Sequence, residues 1–266
     1  KVGSDMHGAF LKETLDRAGI DTAGLVMTEA FFTTLAFVAL SETGERTFSF
    51  ARKPGADTQL TAAEVNETIA ASARVFHVGS LSLTDDPARG ATYHAVKLAK
   101  SSGAVISYDP NYRAPLWADM ETAKAQMRRM LPYVDIMKLS DEETLLLTDR
   151  AAPEDAAAFL NESGIPCVAV TLGKKGALVS VGGSAKIVTG YRHPAVDTTG
   201  AGDAFWGGFL HRMLNLGKRP NELTLDEAAD CADWGNAVAT CCVQKRGAIP
   251  AMPTMDEVHA LMRGGR

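Results

Sequence analysis

The chain has 266 residues, of which 46% are hydrophobic and 22% are charged, a composition typical of a folded globular protein and not of a disordered chain. Its net charge of -5 argues against a nucleic-acid-binding surface, and its longest apolar run, Leu35 to Leu40, is too short to cross a membrane. The four cysteines lie in apolar runs without metal-binding spacing, so we expect buried free thiols in a cytoplasmic protein: Cys167, Cys231, Cys241 and Cys242.

The first fifth of the chain predicts one helix and one hairpin. Residues 7–18 have the apolar spacing of a helix, and Gly19 is a residue type that commonly ends one. Two segments rich in Thr, Phe and Val, Phe32–Leu40 and Arg46–Phe50, predict strands. The polar residues 41–45 between them predict a turn, so the two strands form a hairpin.

From residue 61 onward, predicted strands and helices alternate. Thr61 and Glu64 form a capping box that predicts a helix start. Strands are predicted at 75–78, 104–108, 134–139, 167–172, 177–181 and 185–191, and helices at 89–101, 119–131, 140–147, 153–163, 203–216, 224–243 and 254–263. Such alternation indicates an α/β fold with a mostly parallel central sheet and helices on both faces. Ligands in such folds bind beyond the carboxyl ends of the strands.

The segment from Asp197 to Asp203 carries the strongest functional pattern. Gly200 and Gly202 would let backbone N–H groups at a helix start approach an anion, and Asp203 beside them could accept a proton. The structural alternative is a tight turn with Asp203 as the N-cap of the helix. Phe205 occupies the position where a dinucleotide fingerprint requires a third glycine, and no P-loop Gly-Lys-Ser/Thr follows.

Three further segments follow predicted strands, and each has a structural alternative. Ser140 and Glu143 form either a capping box or part of a site that orders hydrated Mg²⁺. The segment 171–176 predicts either a hairpin turn or a loop at the edge of a nucleotide site. The segment 109–113 predicts either a turn or a set of polar side chains that bind a substrate. Neither a Gly-x-Ser-x-Gly elbow nor a His-Glu-x-x-His motif is present, which excludes a serine hydrolase or zinc protease of those types.

With these segments in order, the chain resembles the ribokinase-type (PfkB) carbohydrate kinases, and within them the fructokinases. The segment 197–203, Asp-Thr-Thr-Gly-Ala-Gly-Asp, is similar to the carboxyl-terminal signature of that family. Supporting stretches begin at His77 (His-Val-Gly-Ser-Leu), Asp109 (Asp-Pro-Asn-Tyr-Arg), Lys138 (Lys-Leu-Ser-Asp-Glu-Glu), Thr171 (Thr-Leu-Gly-Lys-Lys-Gly) and Arg246 (Arg-Gly-Ala-Ile-Pro). The resemblance covers essentially the whole chain and implies a ribokinase-like fold.

The resemblance also implies roles for individual residues. Asp203 matches the base that deprotonates the sugar hydroxyl, and Gly200, Ala201 and Gly202 match the anion hole. Glu143 matches a glutamate that organises Mg²⁺ through water. The positions that match the ATP-binding side are Thr171, Gly173, Gly176, Asn236 and Ser140, where many relatives have Asn. Asp197 and Thr199 match a monovalent-cation site of some members, which implies K⁺ beside ATP and Mg²⁺.

The sugar-binding side matches in part. Arg52, Asp57, Asn111 and Arg113 match residues that face the sugar, together with Asp203. The hairpin within residues 31–57 resembles a lid that often mediates dimerisation, so we expect a single kinase domain over 1–266 and a homodimer. The family's first signature, with a sugar-binding Asp, normally precedes the segment that begins at Lys1, and we expect native sequence to be missing there.

The implied activity is ATP-dependent phosphorylation of a sugar, with fructose as the expected substrate. Within the family, 2-keto-3-deoxygluconate is an alternative substrate, because Arg113 could pair with its carboxylate, and ribose is another. A protein that binds a sugar without catalysis is the alternative of a different class. Neither a nucleic acid nor a membrane is an expected partner.

Overall fold

The computed structural model describes residues 1–40 and 46–265, so the predicted turn at 41–45 lies outside the described residues. The chain divides into two compact units, Lys1–Tyr133 and Val134–Arg266. The expectation of a single kinase domain stays a prediction.

The first unit contains the predicted hairpin and a parallel strand pair. Its elements are β1 (Val2–Gly3), α1 (Met6–Arg17), β2 (Met27–Thr28), β3 (Leu35–Leu40), β4 (Arg46–Ala51), α2 (Glu67–Ser72), β5 (Val75–Gly79), α3 (Ala88–Ser101), β6 (Val105–Asp109) and α4 (Met120–Met130). Strands β3 and β4 are antiparallel, and β5 and β6 are parallel, with Gly79 opposite Asp109 at their carboxyl ends. All residues of β6 are buried, so the core of this unit lies along that strand.

The second unit contains a mixed set of strands and the long carboxyl-terminal helices. Its elements are β7 (Ile136–Ser140), α5 (Thr144–Thr148), α6 (Pro153–Glu162), β8 (Cys167–Thr171), β9 (Gly176–Val181), β10 (Ser184–Thr189), α7 (Ala201–Asn215), α8 (Leu225–Val243) and α9 (Met255–Gly264). Strands β7 and β8 are parallel, whereas β8–β9 and β9–β10 are antiparallel. The segment 171–176 is therefore a hairpin turn, because antiparallel neighbours need only a short connection.

Helices α7 and α8 pack closely because two glycines lie at their contact. A Cβ at Gly208 would lie 2.8 Å from the side chain of Val238, and a Cβ at Gly235 would lie 2.7 Å from the ring of Phe205. A side chain at either position would separate the helices. This packing fixes the start of α7, which carries the signature segment, against the middle of α8.

The cysteines are buried and free, as the sequence predicts. Burial raises the pKa of the Cys231 thiol to about 12, so this thiol stays protonated and unreactive at neutral pH. The predicted helix start at Thr61 needs correction. The capping box of Thr61 and Glu64 opens a 3-10 turn and not an α-helix, since α2 begins only at Glu67 after the cap Asn66.

No helix among the described residues is long and apolar enough to cross a membrane.

Candidate active site

Helix α7 begins at Ala201, immediately after Gly200. Gly200 has a φ of 79°, a left-handed conformation that favours glycine. Asp203 is therefore the third residue of the helix, and the alternative in which it is the N-cap is wrong. The carboxylate of Asp203 is exposed and does not close the helix end.

The first turn of α7 contains backbone N–H groups that lack acceptors. The N–H of Ala201 donates to the carbonyl of Thr198 at 3.2 Å, whereas the N–H groups of Gly202 and Asp203 have no acceptor within 1–40 and 46–265. The side chain of Asp203 is exposed beside them. Unsatisfied donors at a helix start, with the positive end of the helix dipole, are able to bind an anion, and here a carboxylate lies at their edge.

The two glycines of this turn are required for different reasons. A Cβ at Gly200 would lie 2.8 Å from the Cβ of Ala248, in the segment that follows α8. A Cβ at Gly202 would lie 3.0 Å from Nζ of Lys138, a buried lysine of β7. Position 200 thus requires glycine because of its backbone conformation and the adjacent loop, whereas a Cβ at position 202 would crowd the ammonium group of Lys138.

Asp197 holds the loop that leads into α7. Its Oδ1 accepts hydrogen bonds from the N–H of Thr199 at 2.9 Å and from the Thr199 hydroxyl at 2.7 Å, and its Oδ2 accepts one from the N–H of Gly247 at 3.0 Å. Asp197 and Thr199, the predicted cation-site pair, therefore lie together. Their contacts tie the entry to α7 to the segment after α8.

Glu143 lies just past the carboxyl end of β7. Its Oε2 accepts hydrogen bonds from the N–H of Ser140 at 2.8 Å and from the Ser140 hydroxyl at 3.0 Å, which is the predicted capping box. The predicted helix over 140–147 is a 3-10 turn over Asp141–Glu143 followed by α5. The carboxylate is buried, and among the described residues no three His, Cys, Asp or Glu side chains form a group that could hold a metal.

Strand register brings the predicted nucleotide-side residues to one edge of the second unit. Ser140 is paired with Thr171, and Gly176 is paired with Thr189. Gly176 has a φ of 103°, and a Cβ there would lie 2.1 Å from the carbonyl oxygen of Val188. Only glycine fits at that point, so this turn depends on Gly176 for its shape.

Asn236 completes this edge from α8. Its buried amide donates to the carbonyl of Val188 at 3.0 Å and to that of Thr189 at 3.4 Å. These hydrogen bonds fix α8 against the end of β10. Asn236 thus shapes this edge of the site indirectly, because its amide holds the backbone of Val188 and Thr189 in place.

A cavity of about 270 Å³ opens between these elements of the second unit. It is lined by Thr171, Gly173, Lys174, Gly176, Gly190, Tyr191, His193, Ala195, Thr198, Ala201, Gly202, Phe205, Asn236, Ala239, Thr240 and Val243. The cavity is therefore continuous with the donor turn of α7, and its lining includes the cationic side chain of Lys174.

Sequence reasoning missed several of these lining residues. Ala239, Thr240 and Val243 lie three, four and seven positions after Asn236, and this spacing places all four on one face of α8. That periodicity was available in the sequence and could have identified them. Tyr191 and His193 carry no comparable signal, because they lie in an irregular segment.

The predicted sugar-side residues lie in the first unit. The buried guanidinium of Arg52 donates from Nε to Oδ2 of Asp57 at 2.7 Å, from Nη1 to the hydroxyl of Thr84 at 2.9 Å and from Nη2 to the carbonyl of Leu81 at 2.7 Å. Asp57 also accepts from the hydroxyl of Thr34. Arg52 and Asp57 therefore form an ion pair that joins the segment after the hairpin to the segment after β5.

A second cavity, of about 670 Å³, lies beside this ion pair. Its lining comprises Ser49, Phe50, Arg52, Lys53, Pro54, Thr58, Gln59, Asp85, Asp86, Pro115, Leu116, Trp117 and Ala118. Trp117 is buried, and its Nε1 has no hydrogen-bond partner among the described residues.

Asn111 and Arg113 lie near this cavity in sequence but are not part of its lining. Asn111 has a φ of 47°, and its N–H donates to Oδ1 of Asp109 at 3.1 Å. Arg113 is exposed, and its Nη1 donates to the carbonyl of Tyr112 at 2.9 Å.

Known proteins resemble the chain over nearly its full length. The pfkB family of carbohydrate kinases matches residues 1–255. Fructokinase-2 of Solanum habrochaites is 38% identical over 268 residues, which cover 100% of this chain and 80% of the relative. Fructokinase-1 of Oryza sativa subsp. japonica is 39% identical over 98% of this chain and 81% of its own length.

Solved structures give the same assignment. A crystal structure of fructokinase from Vibrio cholerae O395, with fructose, ADP and a calcium ion bound, matches with a TM-score of 0.86 and 32% identity, over 98% of this chain and 83% of that one. A crystal structure of fructokinase from Xylella fastidiosa with bound ATP matches with a TM-score of 0.90 and 31% identity, over 99% and 83% of the two chains. The ribokinase-like α/β fold is thereby confirmed, and the chain belongs to the pfkB family of carbohydrate kinases as an ATP-dependent sugar kinase.

Proposed function

We propose that the chain transfers the γ-phosphoryl group of ATP to a hydroxymethyl group of D-fructose and forms fructose 6-phosphate. The observation that carries this proposal is the first turn of α7, where the N–H groups of Gly202 and Asp203 lack acceptors among the described residues and the Asp203 carboxylate is exposed beside them. Similarity to fructokinases of plants and bacteria supports fructose as the sugar.

Asp203 acts as the general base. The sugar oxygen forms a bond to the γ-phosphorus while the bond from that phosphorus to the β–γ bridging oxygen breaks, and ADP leaves with the electron pair. The hydroxyl proton moves to the Asp203 carboxylate. The anion hole of Gly200, Ala201 and Gly202 stabilises the charge on the transferred group. Its unsatisfied donors are the N–H groups of Gly202 and of the adjacent Asp203, and each such donor contributes roughly 2.7–4 kcal/mol in the transition state.

The cavity of the second unit takes the nucleotide. It is continuous with the donor turn, and one wall is formed by Thr171, Gly173 and Gly176. Asn236 supports the opposite wall through its hydrogen bonds to the end of β10. A volume of about 270 Å³ and a mixed polar and apolar lining suit an adenine ring with part of its ribose.

Two cations fit the donor sets that are present. Mg²⁺ keeps most of its water and binds through phosphates and few carboxylates, so the buried Glu143 at the end of β7 suits a water-mediated role, and Ser140 orients that carboxylate. Mg²⁺ when bound neutralises the charge of the β- and γ-phosphates. Asp197 and Thr199 supply the oxygens for K⁺ beside the anion hole.

The sugar binds at the side of the first unit that carries Arg52 and Asp57, with Asn111 and Arg113 from the segment after β6. We propose that the hairpin of β3 and β4 closes over the sugar and excludes water, which would otherwise compete as the acceptor. The side chain of Phe37 on β3 is 57% exposed and Phe32 before it is 81% exposed. Exposed aromatic residues on the hairpin support a homodimer formed through it, which light scattering coupled to size-exclusion chromatography tests.

The experiment that tests this function is ADP release with Mg-ATP and a panel of sugars. Fructose-dependent turnover, with fructose 6-phosphate identified by mass and NMR, is the expected result. Turnover with 2-keto-3-deoxygluconate or ribose alone would replace fructose but retain the kinase chemistry. Sugar binding by calorimetry without ADP release for any member of the panel would favour the non-catalytic alternative.

A further inference from the structure

Lys174 lies in the turn between β8 and β9 and lines the cavity of the second unit. The chemistry proposed above places Thr171, Gly173 and Gly176 of this turn at the nucleotide but assigns no role to the lysine. Its side chain is exposed, and its ammonium group has no hydrogen bond or ion pair in the part of the chain that the structure describes. A charged group that faces a cavity in this state is available to a ligand of the opposite sign.

The neighbouring lysine and three others of the unit differ from Lys174 in an informative way. Lys175 is exposed in the same turn but is not part of the cavity lining. The three others each contact a carboxylate: Lys186 with Asp226 at 2.8 Å, Lys218 with Glu227 at 2.5 Å and Lys245 with Glu257 at 2.6 Å. Lys174 therefore combines a cavity position with an ammonium group that no carboxylate of the described residues holds.

The backbone beneath Lys174 is held firmly. The N–H of Leu172 donates to the carbonyl of Gly176 at 2.8 Å, and the N–H of Gly190 donates to the carbonyl of Lys175 at 3.3 Å. A Cβ at Gly190, which lines the same cavity, would lie 3.2 Å from the carbonyl oxygen of Lys174. The base of the Lys174 side chain is thus fixed at the cavity wall, while its four-carbon stem remains flexible.

The same cavity also reaches the donor turn, because Ala201 and Gly202 are part of its lining. A nucleotide with its base in the cavity and its terminal phosphoryl group at the donor turn must place its other phosphates between the two. Among the described residues that line the cavity, Lys174 is the only lysine or arginine. It is therefore the side chain of the lining whose positive charge at neutral pH suits those phosphates.

We propose, on the basis of the proposed kinase function, that the ammonium group of Lys174 binds the α- and β-phosphates of the nucleotide. These are the phosphates that remain in ADP, so the contact exists both before and after transfer. An interaction that is equal in the ground state and the transition state strengthens binding without accelerating the chemical step. The effect of Lys174 should therefore appear in the affinities for ATP and ADP, whereas kcat does not fall when the charge is removed.

The first test measures binding of ADP and of adenosine to Lys174→Met by calorimetry. Methionine keeps an unbranched side chain and removes the charge. We expect the affinity for ADP to fall about fivefold, and the affinity for adenosine to stay unchanged because a nucleoside carries no phosphate. Lys175→Met is the matched control, since it removes the same charge from the same turn outside the cavity, and it should leave both affinities unchanged.

Two further readouts separate a charge effect from a change in the shape of the turn. Lys174→Arg keeps the positive charge and should retain most of the affinity for ADP. The affinity of wild-type protein for ADP should fall more steeply with ionic strength than that of Lys174→Met, because salt screens the contact that the variant lacks. The melting temperatures of all three variants should stay within a few degrees of wild type, since both lysines are exposed.

Several outcomes would overturn the role of Lys174. These are an unchanged affinity of Lys174→Met for ADP, an equal loss in Lys174→Met and Lys175→Met, and an equal loss for ADP and adenosine. Wild-type protein that binds no ADP would overturn it as well. Wild-type protein that binds ADP through Lys174 but transfers no phosphoryl group to any sugar would instead overturn the proposed function alone.

Discussion

Gly200 lies so close to Ala248 that a side-chain carbon at position 200 would be 2.8 Å from the Ala248 Cβ. This contact joins the turn before α7 to the segment after α8. A second link, from the N–H of Gly247 to the Asp197 carboxylate at 3.0 Å, lies beside it. The donor turn is thus held in place by a segment almost fifty residues away in sequence.

Gly200→Ala should be destabilising for two reasons. A left-handed conformation costs a residue with a side chain about 1–2 kcal/mol, and the clash with Ala248 adds about 1–3 kcal/mol. Gly217→Ala is the matched control, because Gly217 has a φ of 68° and open space around its Cβ position. Chemical denaturation of both variants should show the larger loss at position 200. Equal losses would mean that the contact with Ala248 contributes nothing.

Asp203→Asn should remove turnover and preserve the fold. The amide has the same shape but cannot accept the hydroxyl proton, so we expect kcat to fall about 10²–10⁴-fold with ATP affinity nearly unchanged. Asp155→Asn is the matched control, since Asp155 is also an exposed third residue of a helix, α6. Steady-state kinetics and calorimetry make the comparison, and near-normal kcat for Asp203→Asn would refute the assignment of the base.

Ala239→Phe should block the nucleotide cavity. Ala239 lines a space of about 270 Å³, and a phenyl ring would occupy much of it. We expect ATP affinity to fall more than tenfold, with little change in melting temperature because the ring fills open space. Ala260→Phe on the exposed face of α9 is the control for an added aromatic residue. Unchanged ATP binding by Ala239→Phe would show that the nucleotide binds elsewhere.

Glu227 should make the stability of the second unit depend on acid pH. A hydrogen bond from Lys218, followed by one from the N–H of Thr224, lowers the pKa of Glu227 from 4.5 to about 2. A carboxyl group with a lowered pKa in the folded state stabilises the protein fully above its ordinary pKa, and that contribution is lost as the pH falls toward 2. The free energy of unfolding should therefore decline between about pH 4.5 and 2.

Glu227→Gln should reduce the slope of that decline and lower stability at neutral pH. Urea denaturation at several pH values measures both quantities. Glu154→Gln, at an exposed acid in the first turn of α6, is the control and should leave the slope unchanged. Identical slopes for wild type and Glu227→Gln would mean that the capping box of Thr224 is not maintained in solution.

Arg52→Lys should weaken the first unit. The three hydrogen bonds of the guanidinium go to different partners, Asp57, Thr84 and the carbonyl of Leu81, and a single ammonium cannot span them. We expect a loss of about 1–3 kcal/mol in the free energy of unfolding, together with a higher KM for the sugar that we propose binds beside this pair. Arg17→Lys in the exposed pair with Glu13 is the control. A stability equal to wild type would indicate that these contacts are replaced by water.

Local sequence patterns were sufficient for most helices and for the strands beside the site. The capping boxes that begin α8 and α9 lie within four residues, so their chemistry is readable from the sequence. The short strands β1 and β2 were missed because two residues leave no periodic pattern. The alternation of strands and helices predicted a mostly parallel sheet, whereas β9 and β10 are antiparallel to their neighbours.

The sequence by itself determined which chemistry is available: a carboxylate beside small residues at a helix start, and a glycine turn after a buried strand. These features depend on neighbours in the chain. Only the tertiary structure decided that Gly200 is held against Ala248, that Gly202 faces a lysine from β7 and that Asn236 fixes the end of β10. Those contacts join residues tens of positions apart, and packing of the whole unit selects them, which no local pattern can specify.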